Sequence, residues 1–270
     1  MPVLQLGEQL FIYYLDDNPI GKPAVLLIHG LGVTGESWGF QLPELIGAGY
    51  RAIAPDLRGF GKSNYPGGDN RIEDLTEDMA CLLSYLDAAP AHVVGISLGG
   101  AIALQLAIDH AHLVDKLVLI NTFARLRPPH LTTWLFYIAR GMLISSLGMS
   151  TQGRLVGRRM FPGDDLAWLR QQFLWQLSQS NPQAYRSTVH SIIRFDVTDR
   201  LEEIRAPTLV VTGALDATVT PEVQQRLVGR IPKAQQVIVP EGRHAMTVVQ
   251  TELINQILLE YLSDKHIKIG

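Results

Sequence analysis

Gly95-Ile96-Ser97-Leu98-Gly99-Gly100 sets one serine among glycines, after a β-rich run (His92-Val93-Val94) and before an Ala/Leu-rich helical segment, Ala101 to Asp109. A Gly-x-Ser-x-Gly at a strand-to-helix junction reads as a nucleophile elbow, a sharp turn that lifts a hydroxyl clear of a sheet. The backbone of such a serine is strained, so Gly95 and Gly99 are expected where a Cβ would collide with neighbouring chain. The helix opening at Leu98 would aim its unpaired N–H groups and positive dipole end at whatever Ser97 attacks. A serine hydroxyl is a poor nucleophile at neutral pH. It needs a base, and the base needs a group that holds its tautomer.

Both follow, each just past a strand-like run. Thr208-Leu209-Val210-Val211-Thr212 leads to Gly213-Ala214-Leu215-Asp216, and Gln236-Val237-Ile238-Val239 leads to Pro240-Glu241-Gly242-Arg243-His244. His244 would take the Ser97 proton, and Asp216 would orient His244 and stabilise its imidazolium. Upstream, Ala24-Val25-Leu26-Leu27-Ile28 has the composition of a buried parallel strand. It ends in His29-Gly30-Leu31-Gly32, a loop that would set the Leu31 N–H opposite the Leu98 N–H as an oxyanion hole. Some members of the α/β-hydrolase fold family, which this order of serine, acid and histidine resembles, carry the acid after the preceding strand; here that site, Asn121-Thr122, has no carboxylate, which favours Asp216.

Serine, acid and histidine in that chain order, with Asp56-Leu57-Arg58-Gly59-Phe60-Gly61-Lys62-Ser63 and Glu202-Glu203-Ile204-Arg205-Ala206-Pro207, resemble the α/β-hydrolase fold family from about Leu10 to Tyr261. The resemblance implies an α/β fold: a mostly parallel eight-stranded sheet with helices on both faces and a helical cap after the sixth strand. Within the family the chain is similar to the enol-lactonase and carboxylesterase-like group. That implies a serine hydrolase of small carboxylic esters or lactones, acting through an acyl-enzyme on Ser97 without metal or organic cofactor. Alternatives stay open: an enol-lactonase-type enzyme, a carbon–carbon bond hydrolase, a cofactor-free haloperoxidase or perhydrolase, or a triad-bearing ligand sensor. Ile96 stands where carbon–carbon hydrolases usually have asparagine, and Leu31-Gly32 where haloperoxidases usually have proline.

The elements that must position these groups alternate. Strands are expected near 24–28, 51–55, 92–95, 116–120, 208–212 and 235–239, and helices near 37–47, 72–87, 98–109, 222–230 and 247–263. That alternation predicts a parallel sheet covered on both faces. One connection is too long: 86 residues separate Asn121 from Thr208, where a crossover needs about a dozen. The excess predicts a cap at 124–197, with the core at 1–123 and 198–270. Within it, an apolar helix is expected over Leu131–Leu147. A second would run over Leu166–Leu177, capped by Asp164 and Asp165, and a third would begin at Asn181-Pro182 and end at Arg194. Residues 122–197 hold nine arginines against three acids, in a chain of net charge −3. The plainer reading is a solvated basic surface. The sharper one turns an arginine inward to a substrate carboxylate, with Arg140 the candidate. Gly30 and Trp38 complete the candidate substrate contacts, and Trp38 also reads as packing beneath the oxyanion loop. His29 is expected to brace that loop, and Asp56 and Arg58 the loop after their strand. Cys81 is expected to be a buried, inert thiol among Met79, Leu82 and Leu83.

Composition, 47% hydrophobic and 18% charged, is that of an ordinary globular chain, and the slight negative charge argues against nucleic acid. A single cysteine excludes a disulfide framework. Met1 to Tyr14 lacks a basic start and a long apolar run, so it reads as a hairpin (Val3–Leu6, Gln9–Tyr14) and the expected location is cytoplasmic. Leu131 to Met149 is interrupted by Arg140 and Gly141, so stable membrane insertion is not expected. A small-molecule partner and a monomer or homodimer remain. Gly95–Gly100 lacks the Lys-Ser/Thr ending of a phosphate loop, and His92, His110 and His112 lack metal-ligand spacing.

Overall fold

The computed structural model describes residues 2–126, 149–151 and 153–264. Eight strands form one sheet: β1 (Val3–Leu6), β2 (Leu10–Asp17), β3 (Ala24–Ile28), β4 (Arg51–Pro55), β5 (Ala91–Ile96), β6 (Val114–Ile120), β7 (Thr208–Gly213) and β8 (Ala234–Val239). Their order is β1-β2-β4-β3-β5-β6-β7-β8. β1 and β2 make the expected hairpin and β2 runs antiparallel to β4, while every later pairing is parallel. The register brings the strand ends level. Ile28 pairs with Gly95, Ile96 with Ile120, Ile120 with Val211, and Gly213 with Val239. The residues singled out for chemistry all follow these positions, so they leave the sheet at one edge.

Side chains alternate across a strand, and the core divides accordingly. Leu26, Ile28, Val93, Leu117, Leu119 and Val210 pack with α2 (Ile72–Tyr85) and α3 (Leu98–Asp109) on one face. Val25, Leu27, Val94, Val118, Ile120, Leu209 and Val211 pack with α1 (Leu42–Gly47) and α9 (Thr251–Leu262) on the other. The α3 helix is buried on every side from Leu98 to Ile108, which its Ala- and Leu-rich composition permits.

Two expected helices are divided. The stretch at 37–47 is a 3-10 turn, Gly35–Trp38, followed by α1, because Pro43 lacks an N–H and is accommodated only in a first turn. The stretch at 247–263 breaks at Gln250 between α8 (Met246–Val249) and α9. There the Thr247 carbonyl accepts from Gln41 Nε2 at 3.0 Å. The helix α7 (Pro221–Val228) lies between β7 and β8. Cys81 corrects an expectation: it is exposed. Helical spacing puts it on the outer stripe of α2 with Glu77 and Ser84, not with its apolar sequence neighbours.

Between β6 and β7 lie α4 (residues 149–151 and 153–160), α5 (Ala167–Ser178) and α6 (Pro182–Arg194). Asn181 caps α6 as expected, its Oδ1 accepting from Gln183 N at 2.9 Å and Ala184 N at 3.1 Å. The cap foreseen for α5 does not form. Leu166 occupies the N-cap without a side-chain bond, and the Asp164 carboxylate instead faces Arg170 at 3.6 Å. The expected Leu131–Leu147 helix and Arg140 lie outside the described residues.

The insertion is joined to the core by apolar packing, Leu177 and Tyr185 sharing a cluster with Phe60, and by polar groups. Gln176 Oε1 accepts from Thr34 N at 3.1 Å, Ser187 Oγ from Asn70 N at 2.8 Å, and Ser191 Oγ from Ile72 N at 2.8 Å. Its two ends meet: Arg125 bridges antiparallel to Asp196, and Val197 N donates to Ala124 O at 3.0 Å. No helix among the described residues is long and apolar enough to cross a membrane.

Candidate active site

Ser97 joins β5 to α3 with φ 55° and ψ −116°, the left-handed half of backbone space that only a tightly held non-glycine residue occupies. Its surroundings explain the glycines. A Cβ on Gly99 would stand 2.7 Å from His29 O and closer still to Ile28 O, and one on Gly95 would stand 2.6 Å from Gly100 N. The elbow is tied to the end of β6 and to the turn beyond it, through Ser97 N to Ile120 O at 3.0 Å and Thr122 Oγ1 to Ser97 O at 2.6 Å.

The oxyanion-loop candidates pass directly over this turn. A Cβ on Gly30 would lie 3.7 Å from Ser97 Cβ and 3.6 Å from Ile96 O, so Gly30 is in van der Waals reach of the serine. Leu31 is half-buried and Leu98 fully buried. Gly32 has φ +79°, and a Cβ there would be 2.8 Å from Leu177 and 3.1 Å from Tyr185, which places α5 and α6 against the loop.

His29 is wholly buried, its Nε2 accepting from Leu57 N at 3.0 Å and its Nδ1 facing Gly30 O at 2.7 Å. An Nε2 that accepts fixes the proton on Nδ1, so the ring is neutral and both nitrogens are engaged. Burial holds its pKa below the ordinary value. It braces the loop, as expected. Asp56 does likewise, taking Gly35 N and Lys62 N, each at 2.8 Å, and Arg58 grips Asp78 with two bonds of 2.6 and 2.5 Å. Trp38 is 1% exposed and sits in the core cluster with Leu42, Leu45 and Tyr50, so packing is what its side chain does here.

Asp216 and His244 come together from the turns after β7 and β8. His244 Nδ1 lies 2.8 Å from Asp216 Oδ2. The carboxylate is buried, and its other oxygen accepts from Thr218 N at 2.7 Å and Val219 N at 3.0 Å. Three acceptor contacts fix the orientation of this acid, and with it the edge of the imidazole left facing away. The His244 side chain is 13% exposed, accessible to a small substrate and still largely shielded.

Sequence reasoning missed Asn121, which it read only as a missing carboxylate. Wholly buried at φ 45°, its Nδ2 donates to Arg243 O at 3.0 Å and His244 O at 3.2 Å, and its Oδ1 accepts from Gly213 N at 2.9 Å. Ile120 therefore holds the elbow, and the next residue holds the histidine loop. The available signal was an Asn in the first position beyond a buried strand, where its tolerance of positive φ suits a turn.

A family profile described as the alpha/beta hydrolase fold matches residues 23–249. This chain belongs to that family. The α/β-hydrolase is 31% identical over 248 residues to a Caulobacter sp. (strain K31) protein named "Putative carbamate hydrolase RutD", covering 90% of this chain and 91% of that one. It is 32% identical over 263 residues to the protein of the same name from Pantoea ananatis, covering 93% of each. Among solved structures, it superposes on the enol-lactonase from Burkholderia xenovorans LB400 with a TM-score of 0.87 at 25% identity, covering 97% of this chain and all, 100%, of that one. The esterase EaEST from Exiguobacterium antarcticum shares the fold of this α/β-hydrolase with a TM-score of 0.89 at 23% identity, covering 97% and 98%.

Proposed function

We propose that this chain is a serine hydrolase that cleaves small carboxylic esters or lactones through an acyl-enzyme on Ser97. One observation carries the reading. A serine held at φ 55° is tied to Ile120 and Thr122, the residue between them, Asn121, anchors the histidine loop, and that histidine is already engaged by a buried carboxylate.

His244, its Nδ1–H directed at Asp216, accepts the Ser97 proton at Nε2 as Oγ attacks the carbonyl carbon. The Leu31 and Leu98 amides receive the oxyanion, each such donor lowering the barrier by about 3–4 kcal/mol. His244 then protonates the departing oxygen, and a water molecule deprotonated by the same ring releases the acid and restores the serine. Gly30 leaves room for substrate beside Ser97, and Leu177 and Tyr185 bound the oxyanion loop from the insertion. Asp216 is the acid because its carboxylate, unlike the Asn121 amide, balances the charge of the imidazolium.

A second reading, carbamate hydrolysis, is favoured by the names of relatives that match over nine-tenths of both chains. The nucleophile and oxyanion donors are the same, and only the group beside the carbonyl differs. The test is a panel of p-nitrophenyl esters of increasing chain length, lactones with and without a free carboxylate, and an unsubstituted alkyl carbamate. Esters or lactones should turn over fastest; a kcat/KM for the carbamate above all of them replaces the first reading with the second. Ser97→Ala should lower kcat on the best substrate by about 10⁶-fold. Near-normal turnover by that variant removes Ser97 from the chemistry.

A further inference from the structure

We propose that Asn121 is a positioning residue for this hydrolase, holding the histidine and acid loops in one register; the proposal rests on the roles given above to Ser97, Asp216 and His244. A carboxamide offers two N–H donors and one oxygen with two lone pairs. Asn121 uses them all. Nδ2 donates to Arg243 O and His244 O at 3.0 and 3.2 Å, and Oδ1 accepts from Gly213 N and Gln224 Nε2 at 2.9 and 3.3 Å. The end of β7, the helix α7 and the turn after β8 thus meet on one buried side chain just beyond β6.

The network reaches both catalytic partners. On the acid side, Gly213 O accepts from Asp216 N at 3.1 Å, and Gln224 Nε2 also donates to Val219 O at 2.9 Å. Val219 N in turn donates to the Asp216 carboxylate. On the other side the two bonds grip the carbonyl of His244 itself and the one before it, so the backbone from which the imidazole projects is fixed at both. An imidazole tethered only through Nδ1 can still swing. A displacement near 1 Å costs about 100-fold in rate, which is the scale expected if this grip is lost. No other side chain of similar size replaces it. Aspartate keeps the acceptor half but would set a carboxylate oxygen against two carbonyl oxygens.

The experiment compares Asn121→Ala, Asn121→Asp, His244→Ala and the double variant Asn121→Ala with His244→Ala, using p-nitrophenyl acetate kinetics and thermal melts. The expected result is a kcat about 100-fold lower in Asn121→Ala, with KM within about twofold, and a similar loss in Asn121→Asp, which lacks only the donors. In the His244→Ala background, removing Asn121 should change the residual rate by less than about twofold, because no base remains to be positioned. If the alanine variant does not fold, the near-isosteric aspartate takes its place in the cycle. The proposal is overturned if kcat stays within about threefold of wild type, if the loss is equal with and without His244, or if neither variant melts cooperatively, which would make Asn121 a folding element alone. Full activity in His244→Ala by itself would overturn the hydrolase reading and this proposal with it, whereas an inactive His244→Ala beside a fully active Asn121→Ala overturns the proposal alone.

Discussion

The two halves of the site are held in place by opposite means. Around Ser97 the chain packs backbone on backbone, and what positions the serine is the absence of side chains at Gly95, Gly99 and Gly100. Around His244 and Asp216 the spacing is set by side chains that are present, chiefly the Asn121 amide and the Asp216 carboxylate. Steric exclusion tolerates almost no substitution, because a misplaced carbon has nowhere to go in a close-packed interior. Hydrogen bonds degrade more gradually: a lost partner loosens the geometry and leaves the fold intact. The halves should therefore fail differently, the first in stability and rate together, the second chiefly in rate, at a stability cost of about 1–3 kcal/mol for each buried group left unpaired.

The largest effect is expected at Gly99→Ala. Its Cβ would overlap the Ile28 carbonyl, which is β-strand backbone and cannot rotate away. Stability should fall by about 3 kcal/mol and esterase activity should vanish, read by denaturant melts and p-nitrophenyl acetate turnover. A stable, active variant would break the comparison at its strongest point. Next comes Asp216→Asn. An asparagine whose Oδ1 keeps the Thr218 and Val219 N–H bonds turns its NH₂ toward His244 Nδ1, which must then accept. That forces the imidazole proton onto Nε2, where it cannot take one from Ser97. Turnover should drop by about 10⁴-fold, while the melting temperature changes far less than for Gly99→Ala. The smallest effect is expected at Gly30→Ala, where the added methyl meets only ordinary contacts of 3.6 Å and beyond. Stability should shift by less than about 1 kcal/mol. A collapse there would mean that glycine as such, not crowding, governs this half.

What could be read from the sequence follows the same division. Runs such as Val93-Val94 and Leu209-Val210-Val211 locate strands because burial on both faces selects continuous apolar residues, and the elbow declares itself because glycines crowd one serine. That Asp216 and His244 would stand together was legible from their position after strands. Asn121 was not, since an amide has no motif and its value lies in partners brought from 92, 103 and 123 residues away along the chain. The misplacement of Cys81 had a simpler origin: its apolar neighbours in sequence face inward, while the helix turns it outward with Glu77. The division before α1 was legible in Pro43, which fits only a first turn, whereas the break at Gln250 lies beside a Thr247 carbonyl bonded to Gln41, 206 residues away. Asp164, read as a cap, met Arg170 instead, a choice made by tertiary geometry.

The antiparallel bridge between Arg125 and Asp196 lets the inserted segment enter and leave the sheet through a single doorway. Whatever is spliced between those two residues pulls on neither β6 nor β7 so long as its ends arrive side by side. The lining above the serine can thus be exchanged or lengthened over generations without disturbing the machinery below, which lets one scaffold change what it accepts while keeping how it cuts.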